Sequence, residues 1–113
     1  MVETTEADFT DYCEYCQLWI DRLHLNDWDY KFAVKEREGA DAWASINYDY
    51  RKVLLCIVPK REGIESIDNL AKHEVLELLL ADVAGIMEVY RSESYVSDEI
   101  HKVINRLMRV LQI

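Results

Sequence analysis

The chain has 113 residues, half of them apolar, and its formal net charge is −9 at pH 7. This length and apolar content predict one folded domain over residues 1–113, and they exclude a disordered or low-complexity chain. The acidic charge repels phosphate, so we expect no direct grip on nucleic acid and favour a protein or peptide as the partner.

The predicted elements begin with a helix over residues 6–24, where apolar side chains recur at helical spacing. Three strands are predicted at residues 30–35, 42–48 and 52–58, and turn-forming residues separate them. The connections are short, and a parallel pair of strands needs a longer crossover. We therefore expect an antiparallel meander.

Two helices are predicted to complete the chain. The first covers residues 69–87 and is capped by Ser66 or Asp68, and the second follows the cap Ser97. Strands followed by helices indicate an α+β class. The expected fold is an N-terminal helix, a three-stranded, mostly antiparallel sheet and two C-terminal helices.

The first of these two helices carries a sequence typical of metal chemistry, His73-Glu74-Val75-Leu76-Glu77. A zinc peptidase of the HExxH type has histidines at i and i+4 on one helical face, and the glutamate beside the first histidine acts as general base. His73 and Glu74 match this motif, whereas Glu77 stands where the second histidine belongs. A carboxylate can also bind zinc, so the spacing allows a metal site. The alternative is an ordinary exposed i,i+4 pair.

Residues 28–111 resemble the small zincin-like metallopeptidases that phages and prophages encode, which are related to the SprT-like group. Residues 44–55 resemble the two strands that precede the active-site helix of this family. Residues 68–80 resemble that helix, and residues 97–107 resemble the final helix. The resemblance implies a minimal zincin-like fold in which the side chains of the motif face the start of the last helix.

The resemblance also implies roles for individual residues, with zinc as the cofactor. His73 would be the first metal ligand, Glu74 the general base, and Glu99 the third ligand, with Asp98 or His101 as substitutes. Glu77 occupies the position of the second ligand. With Glu77 and an acidic third ligand, the metal would face two carboxylates and one imidazole. Such a set weakens the acidity of bound water and shifts the preference toward manganese, calcium or magnesium.

The sequence is compatible with three functions. The favoured hypothesis is a zincin-like protein of phage or prophage type that is weakly active or inactive and works by binding another protein. The first alternative is an active metal-dependent peptidase that uses His73, Glu77 and Glu99, with Glu74 as general base. The second alternative is an acidic phage protein that inhibits a host nucleic-acid enzyme.

The N-terminal residues lack the pattern of a signal peptide, and no apolar run reaches the length of a membrane span. Cys13, Cys16 and Cys56 are an odd number of cysteines in a chain that can build its own core. This predicts reduced thiols that bind no metal. We therefore expect the protein in the cytoplasm. The resemblance to phage and prophage proteins implies the cytoplasm of a bacterial host.

Overall fold

The computed structural model describes residues 1–111. A short strand β1 (Val2–Glu3) precedes helix α1 (Glu6–Arg22). The strands that follow are β2 (Asp29–Val34), β3 (Ala42–Asn47), β4 (Lys52–Ile57) and β5 (Lys60–Arg61). The helices after them are α2 (Ile67–Leu79), α3 (Ala81–Met87) and α4 (Glu93–Val110). The α+β class predicted from the sequence is confirmed.

The main sheet has the strand order β2-β4-β3, with β4 in the centre. Strand β4 pairs antiparallel with β3 but parallel with β2. The predicted meander, with β3 in the centre beside β2, is therefore wrong, because β2 pairs with β4 in parallel, and only the antiparallel pair of β3 and β4 is as expected. Strand β3 and its two connections serve as the crossover that a parallel pair needs. The central position suits β4 because its side chains Val53, Leu55 and Ile57 are buried.

A second sheet, which the sequence analysis did not predict, consists of β1 and β5 in antiparallel pairing. The buried Arg61 of β5 holds it against the start of α1. Its Nε donates to Thr4 Oγ1 at 2.9 Å, and its Nη2 lies 3.2 Å from Asp8 Oδ2. These contacts tie the first residues of the chain to the segment that precedes α2.

Serine caps begin both long C-terminal helices. Ser66 caps α2 as predicted, and its Oγ accepts a hydrogen bond from the backbone N–H of Asn69. The cap of α4 is Ser92 rather than Ser97, because the Ser92 Oγ accepts from the N–H of Tyr95 at 3.1 Å. The last helix therefore begins more than one turn before its predicted start.

The helix predicted over residues 69–87 is broken at Leu80, so three helices rather than two follow the sheet within residues 1–111. Leu80 has φ −95° and ψ 1°, outside the usual helical values, and it separates α2 from α3. No helix within residues 1–111 combines the length and the apolarity needed to cross a membrane.

The hydrophobic core lies between one face of the main sheet and the helices α1 and α2. Its largest contributions from the helices are Tyr12, Cys16, Trp19 and Ile20 of α1 and Leu70, Ala71, Val75 and Leu78 of α2. Each fully buried Leu, Ile or Val side chain contributes about 1.5–3 kcal/mol. Helix α2 contacts α1, β3, α3 and α4, so it is the central helix of the fold. One flank of α2 faces α4.

The cysteines belong to this packing. Cys13, Cys16 and Cys56 are free thiols, and Cys16 and Cys56 are fully buried. Burial raises the pKa of Cys16, which keeps its sulfur in the thiol form. The Cys13-Glu14-Tyr15-Cys16 sequence of α1 therefore contributes Cys16 to the core, with Tyr15 packed against it.

Candidate metal centre

Two of the predicted site residues meet on α2. His73 Nε2 lies 3.2 Å from Glu77 Oε1, and both side chains are about one-third exposed. Helical residues four apart are neighbours on one face, as the sequence analysis expected. The pair lies on the flank of α2 that faces α4, since Glu77 also contacts a residue of that helix.

That residue of α4 is His101. Its Nε2 lies 2.9 Å from the same oxygen, Glu77 Oε1, and its ring centroid is 5.8 Å from that of His73. One ligand atom each of His73, Glu77 and His101 lies within 4.8 Å of the other two. Two zinc ligands at about 2.0–2.1 Å in a tetrahedral arrangement are about 3.3 Å apart. The two imidazole nitrogens lie 3.2 and 2.9 Å from Glu77 Oε1, close to that spacing.

The second ring nitrogen of His101 is held by the backbone. His101 Nδ1 lies 2.8 Å from the carbonyl oxygen of Ser97, one turn earlier in α4. Ser97 Oγ also lies 3.4 Å from Nδ1. A carbonyl oxygen only accepts hydrogen bonds, so its contact suits the tautomer with the hydrogen on Nδ1, in which Nε2 is a bare acceptor. Backbone carbonyls fix the tautomer of metal-binding histidines in this way.

His101 Nε2 and Glu77 Oε1 face each other across the gap between α4 and α2. Both atoms are acceptors in this tautomer of the neutral imidazole, yet they are 2.9 Å apart. Two lone pairs at that distance repel unless a positive charge lies between them. Either a proton on His101 or a metal ion satisfies this requirement. The same oxygen also faces His73 Nε2, so the position has the surroundings of a cation site.

The pKa of the Glu77 carboxyl group is consistent with its place between the two imidazoles. Burial would raise the pKa of the Glu77 carboxyl group, but its pKa lies below the ordinary value. Hydrogen bonds and charge from His73 and His101 outweigh the effect of burial. Glu77 is therefore an anion when it faces the two imidazoles, as a metal ligand must be.

Glu74 lies on the neighbouring flank of α2 and is only 5% exposed. Burial raises the pKa of Glu74 well above its ordinary value, and the nearby charge of Glu77 raises it further. It lines a cleft of about 710 Å³, together with His73 and residues of the β2–β3 connection. A carboxyl group with a raised pKa beside a cleft is typical of a proton-transfer residue.

The structure does not bring Glu99 into the group, although the resemblance implies it as the third ligand. Its carboxylate accepts a hydrogen bond from Lys102 Nζ at 2.9 Å. Two residues along a helix rotate a side chain by about 200°, so Glu99 and His101 cannot face α2 together. His101, which the sequence analysis gave as a substitute, occupies the place, and Asp98 is exposed outside the group.

This exchange changes the charge expected around a metal. The group contains two imidazoles and one carboxylate, rather than the one imidazole and two carboxylates expected with Glu99. Two histidines and one glutamate are a donor set of catalytic zinc sites, in which a further position stays open for water or substrate. The group could therefore hold a metal ion.

Comparisons with protein-family models, with curated proteins and with solved structures found no match for this chain. The geometry of the site and its chemistry therefore carry the functional argument.

Proposed function

We propose that this protein is a zinc-dependent peptidase in which His73, Glu77 and His101 hold the metal ion. The convergence of three side chains carries the proposal, because one ligand atom each of His73, Glu77 and His101 lies within 4.8 Å of the other two. Zinc is preferred because two imidazoles and one carboxylate suit it better than they suit magnesium or calcium.

The altered motif exchanges the positions of two ligands and loses neither. In an HExxH peptidase with an acidic third ligand, the two histidines share one helix and the carboxylate comes from elsewhere. Here the carboxylate, Glu77, shares α2 with His73, and the second histidine comes from α4. Both arrangements place two imidazoles and one carboxylate around the ion. The substitution at position 77 is therefore compatible with catalysis.

Each residue of the site has a distinct task in this proposal. When bound, the zinc ion supplies Lewis acidity. Glu74, whose carboxyl group lines the cleft, accepts a proton from the attacking water and passes it to the departing amine. The Ser97 carbonyl holds the His101 ring in one orientation, and the cleft beside His73 receives the peptide.

Zinc binding by paired variants tests the ligand set. We expect His101→Gln to weaken zinc binding by more than about 100-fold, because even partners of metal ligands contribute 10–100-fold. Glu99→Gln is the matched control on the same helix and should leave the affinity unchanged. Calorimetric titration of the tag-free protein measures both. Equal zinc affinity of His101→Gln and the wild type would refute the proposed site.

Glu74→Gln tests the catalytic role separately. The variant should bind zinc as the wild type does, because Glu74 is outside the ligand group. Its rate of hydrolysis of a peptide library should fall by about 10²–10⁴-fold, the usual contribution of a general base. Mass spectrometry of the products measures the rate, and an unchanged rate would exclude Glu74 as the base.

Protein binding without catalysis is the second candidate function. Ile86, Val89 and Tyr90, in α3 and directly after it, are 65%, 76% and 76% exposed. Apolar side chains grouped on a surface are typical of an interaction site. Zinc binding without any peptide hydrolysis by the wild type would favour this function. Inhibition of a host nucleic-acid enzyme is one form of it and stays a prediction.

A further inference from the structure

One edge of the main sheet, formed by β2, carries unpaired backbone groups. The N–H group of Lys35, directly after β2, donates to the carbonyl oxygen of Ile57, on the side of β4. Successive residues of a strand direct their backbone groups to opposite sides, so the N–H and C=O groups of Tyr30, Phe32 and Val34 point away from β4. Within residues 1–111, no backbone group forms a hydrogen bond with them on that side.

This edge is open to a further strand. Strand β2 pairs with β4 over all six of its residues without a bulge, and it contains no proline. The other edge of the sheet, β3, lies against α2, whereas the extensive contacts of β2 are with β4. A regular edge strand is a template for pairing with another strand. The side chains of β2 therefore decide which strand fits.

A second copy of β2 fits this edge in an antiparallel register. When Phe32 lies opposite Phe32 of the second copy, all three residues with free backbone groups form hydrogen-bonded pairs, each of which exchanges two bonds. On the core side of the sheet, Tyr30 then lies opposite Val34 of the second copy, and such aromatic and β-branched pairs stabilise sheets. Val34 is 45% exposed in the single chain, and this pairing covers it.

The charged side chains on the outer face of β2 select the same register. Asp29, Lys31 and Lys35 are exposed, and within residues 1–111 none of them forms an ion pair. With Phe32 opposite Phe32, Asp29 of each copy lies opposite Lys35 of the other. A shift by two residues places Lys31 opposite Lys31 in one direction, and opposite Lys35 in the other. Like charges directly opposite are destabilising, so both shifted registers are disfavoured.

We propose that two copies of this chain associate through their β2 edges, with a two-fold axis at Phe32 that joins the two main sheets into one. Asp29, Lys31 and Lys35 together carry a net positive charge in a chain of net charge −9, so this edge avoids the repulsion between acidic surfaces. The inference goes beyond the proposed peptidase function and does not depend on the metal centre. Because an edge-to-edge contact is small, we expect a reversible dimer with a dissociation constant of the order of 10 µM.

Sedimentation equilibrium of the tag-free protein at increasing concentration tests the association. The average mass should rise from that of a monomer to that of a dimer, and His101→Gln should behave as the wild type does. A protein that remains monomeric up to about 1 mM would overturn the inference, because weaker association has no specific interface behind it.

Two charge variants test the register. Asp29→Lys and Lys35→Asp each place like charges opposite one another in both symmetric pairs, so each should weaken dimerisation by about tenfold or more. The two substitutions change the net charge in opposite directions, so net charge cannot cause a common loss. In an equimolar mixture of the two variants, opposite charges face each other again, and association should return. A mixture that associates as weakly as the single variants would overturn the inference.

Asp49→Lys is the matched control for Asp29→Lys. Asp49 is exposed in the β3–β4 turn, and its substitution makes the same change of charge away from the β2 edge. The dissociation constant of this variant should equal that of the wild type. A loss as large as that of Asp29→Lys would show that the effect is not specific to the edge and would overturn the inference.

Hydrogen exchange followed by NMR locates the contact residue by residue. The N–H groups of Tyr30, Phe32 and Val34 should exchange more slowly as the protein concentration rises, because the second copy pairs with them. Those of Lys31 and Ala33 face β4 and should exchange at a rate that does not depend on concentration. A dimer in which the first three N–H groups stay unprotected would have its interface elsewhere, which would overturn the inference.

Discussion

At the scale of single residues, Arg51 joins three parts of the chain. It lies in the β3–β4 turn, with φ 53°, a left-handed conformation that is strained for a residue other than glycine. Its guanidinium pairs with Asp27 at 2.6 Å and with Asp82 at 3.2 Å, and it lies 3.7 Å from the centroid of the Trp28 ring. The side chain thus holds the loop before β2 and helix α3 against the turn.

We expect Arg51→Lys to lower the urea concentration at the midpoint of unfolding. A lysine keeps the charge, but its single ammonium group cannot reach both carboxylates while it stacks on the indole ring. Arg109→Lys, on the exposed end of α4, is the control and should leave the midpoint unchanged. Equal midpoints for the two variants would show that the paired contacts of Arg51 add nothing to the stability.

At the scale of elements, the start of α1 is stabilised by a reciprocal cap. Thr5 Oγ1 accepts from the N–H of Asp8 at 3.0 Å, and Asp8 Oδ2 accepts from the N–H of Thr5 at 3.0 Å. These hydrogen bonds lower the pKa of Asp8, and the charge of Arg61 lowers it further, although partial burial opposes them. One carboxylate therefore serves the helix cap and the β1–β5 sheet together.

The stabilisation by Asp8 should depend on pH with a defined sign. Because folding lowers the pKa of Asp8, its contribution is fully present above its unfolded value of about 3.9 and is lost as the pH falls through the folded value. We expect Asp8→Asn to be less stable than the wild type at pH 7, and the difference to close in acid. Thermal unfolding between pH 7 and pH 2.5 measures this, with Asp11→Asn as the control. A difference that persists at pH 2.5 would contradict the charge-based cause.

At the scale of the whole molecule, the contact between α2 and α4 combines polar and apolar parts. Val96 and Ile104 are the buried residues of α4. The buried Lys72 of α2 donates to the carbonyl oxygens of Met108 and Leu111, at 3.4 and 2.9 Å, at the C-terminal end of α4. The group of His73, Glu77 and His101 adds a third link between the same two helices. A metal ion at this place would join α4 to the rest of the fold.

Zinc should therefore stabilise the folded protein. At a free zinc concentration 100 times the dissociation constant, linkage predicts a gain of about 2.7 kcal/mol, which raises Tm by several degrees. The shift should disappear after addition of a chelator and should be absent in His101→Gln. Differential scanning calorimetry measures both proteins under the same conditions. An equal shift in the variant would place the stabilising zinc ion elsewhere.

The sequence by itself determined the features that depend on near neighbours. Apolar spacing predicted α1 and the strands of the main sheet, and the serine at position 66 predicted the start of α2. The spacing of four residues placed His73 and Glu77 on one face, because the geometry of a helix is set by the residues within it. The α+β class also followed, since it requires only the order of the elements.

Only the tertiary structure decided which distant groups meet. The strand order depends on which strand is best buried, and β4 took the centre between β2 and β3. The break at Leu80 accompanies contacts of α3 with a distant turn, such as the pair of Asp82 and Arg51. His101 rather than Glu99 reached Glu77 because the rotation of α4 is set by the packing of Val96 and Ile104. Such contacts join residues far apart in the chain, so no local pattern of the sequence contains them.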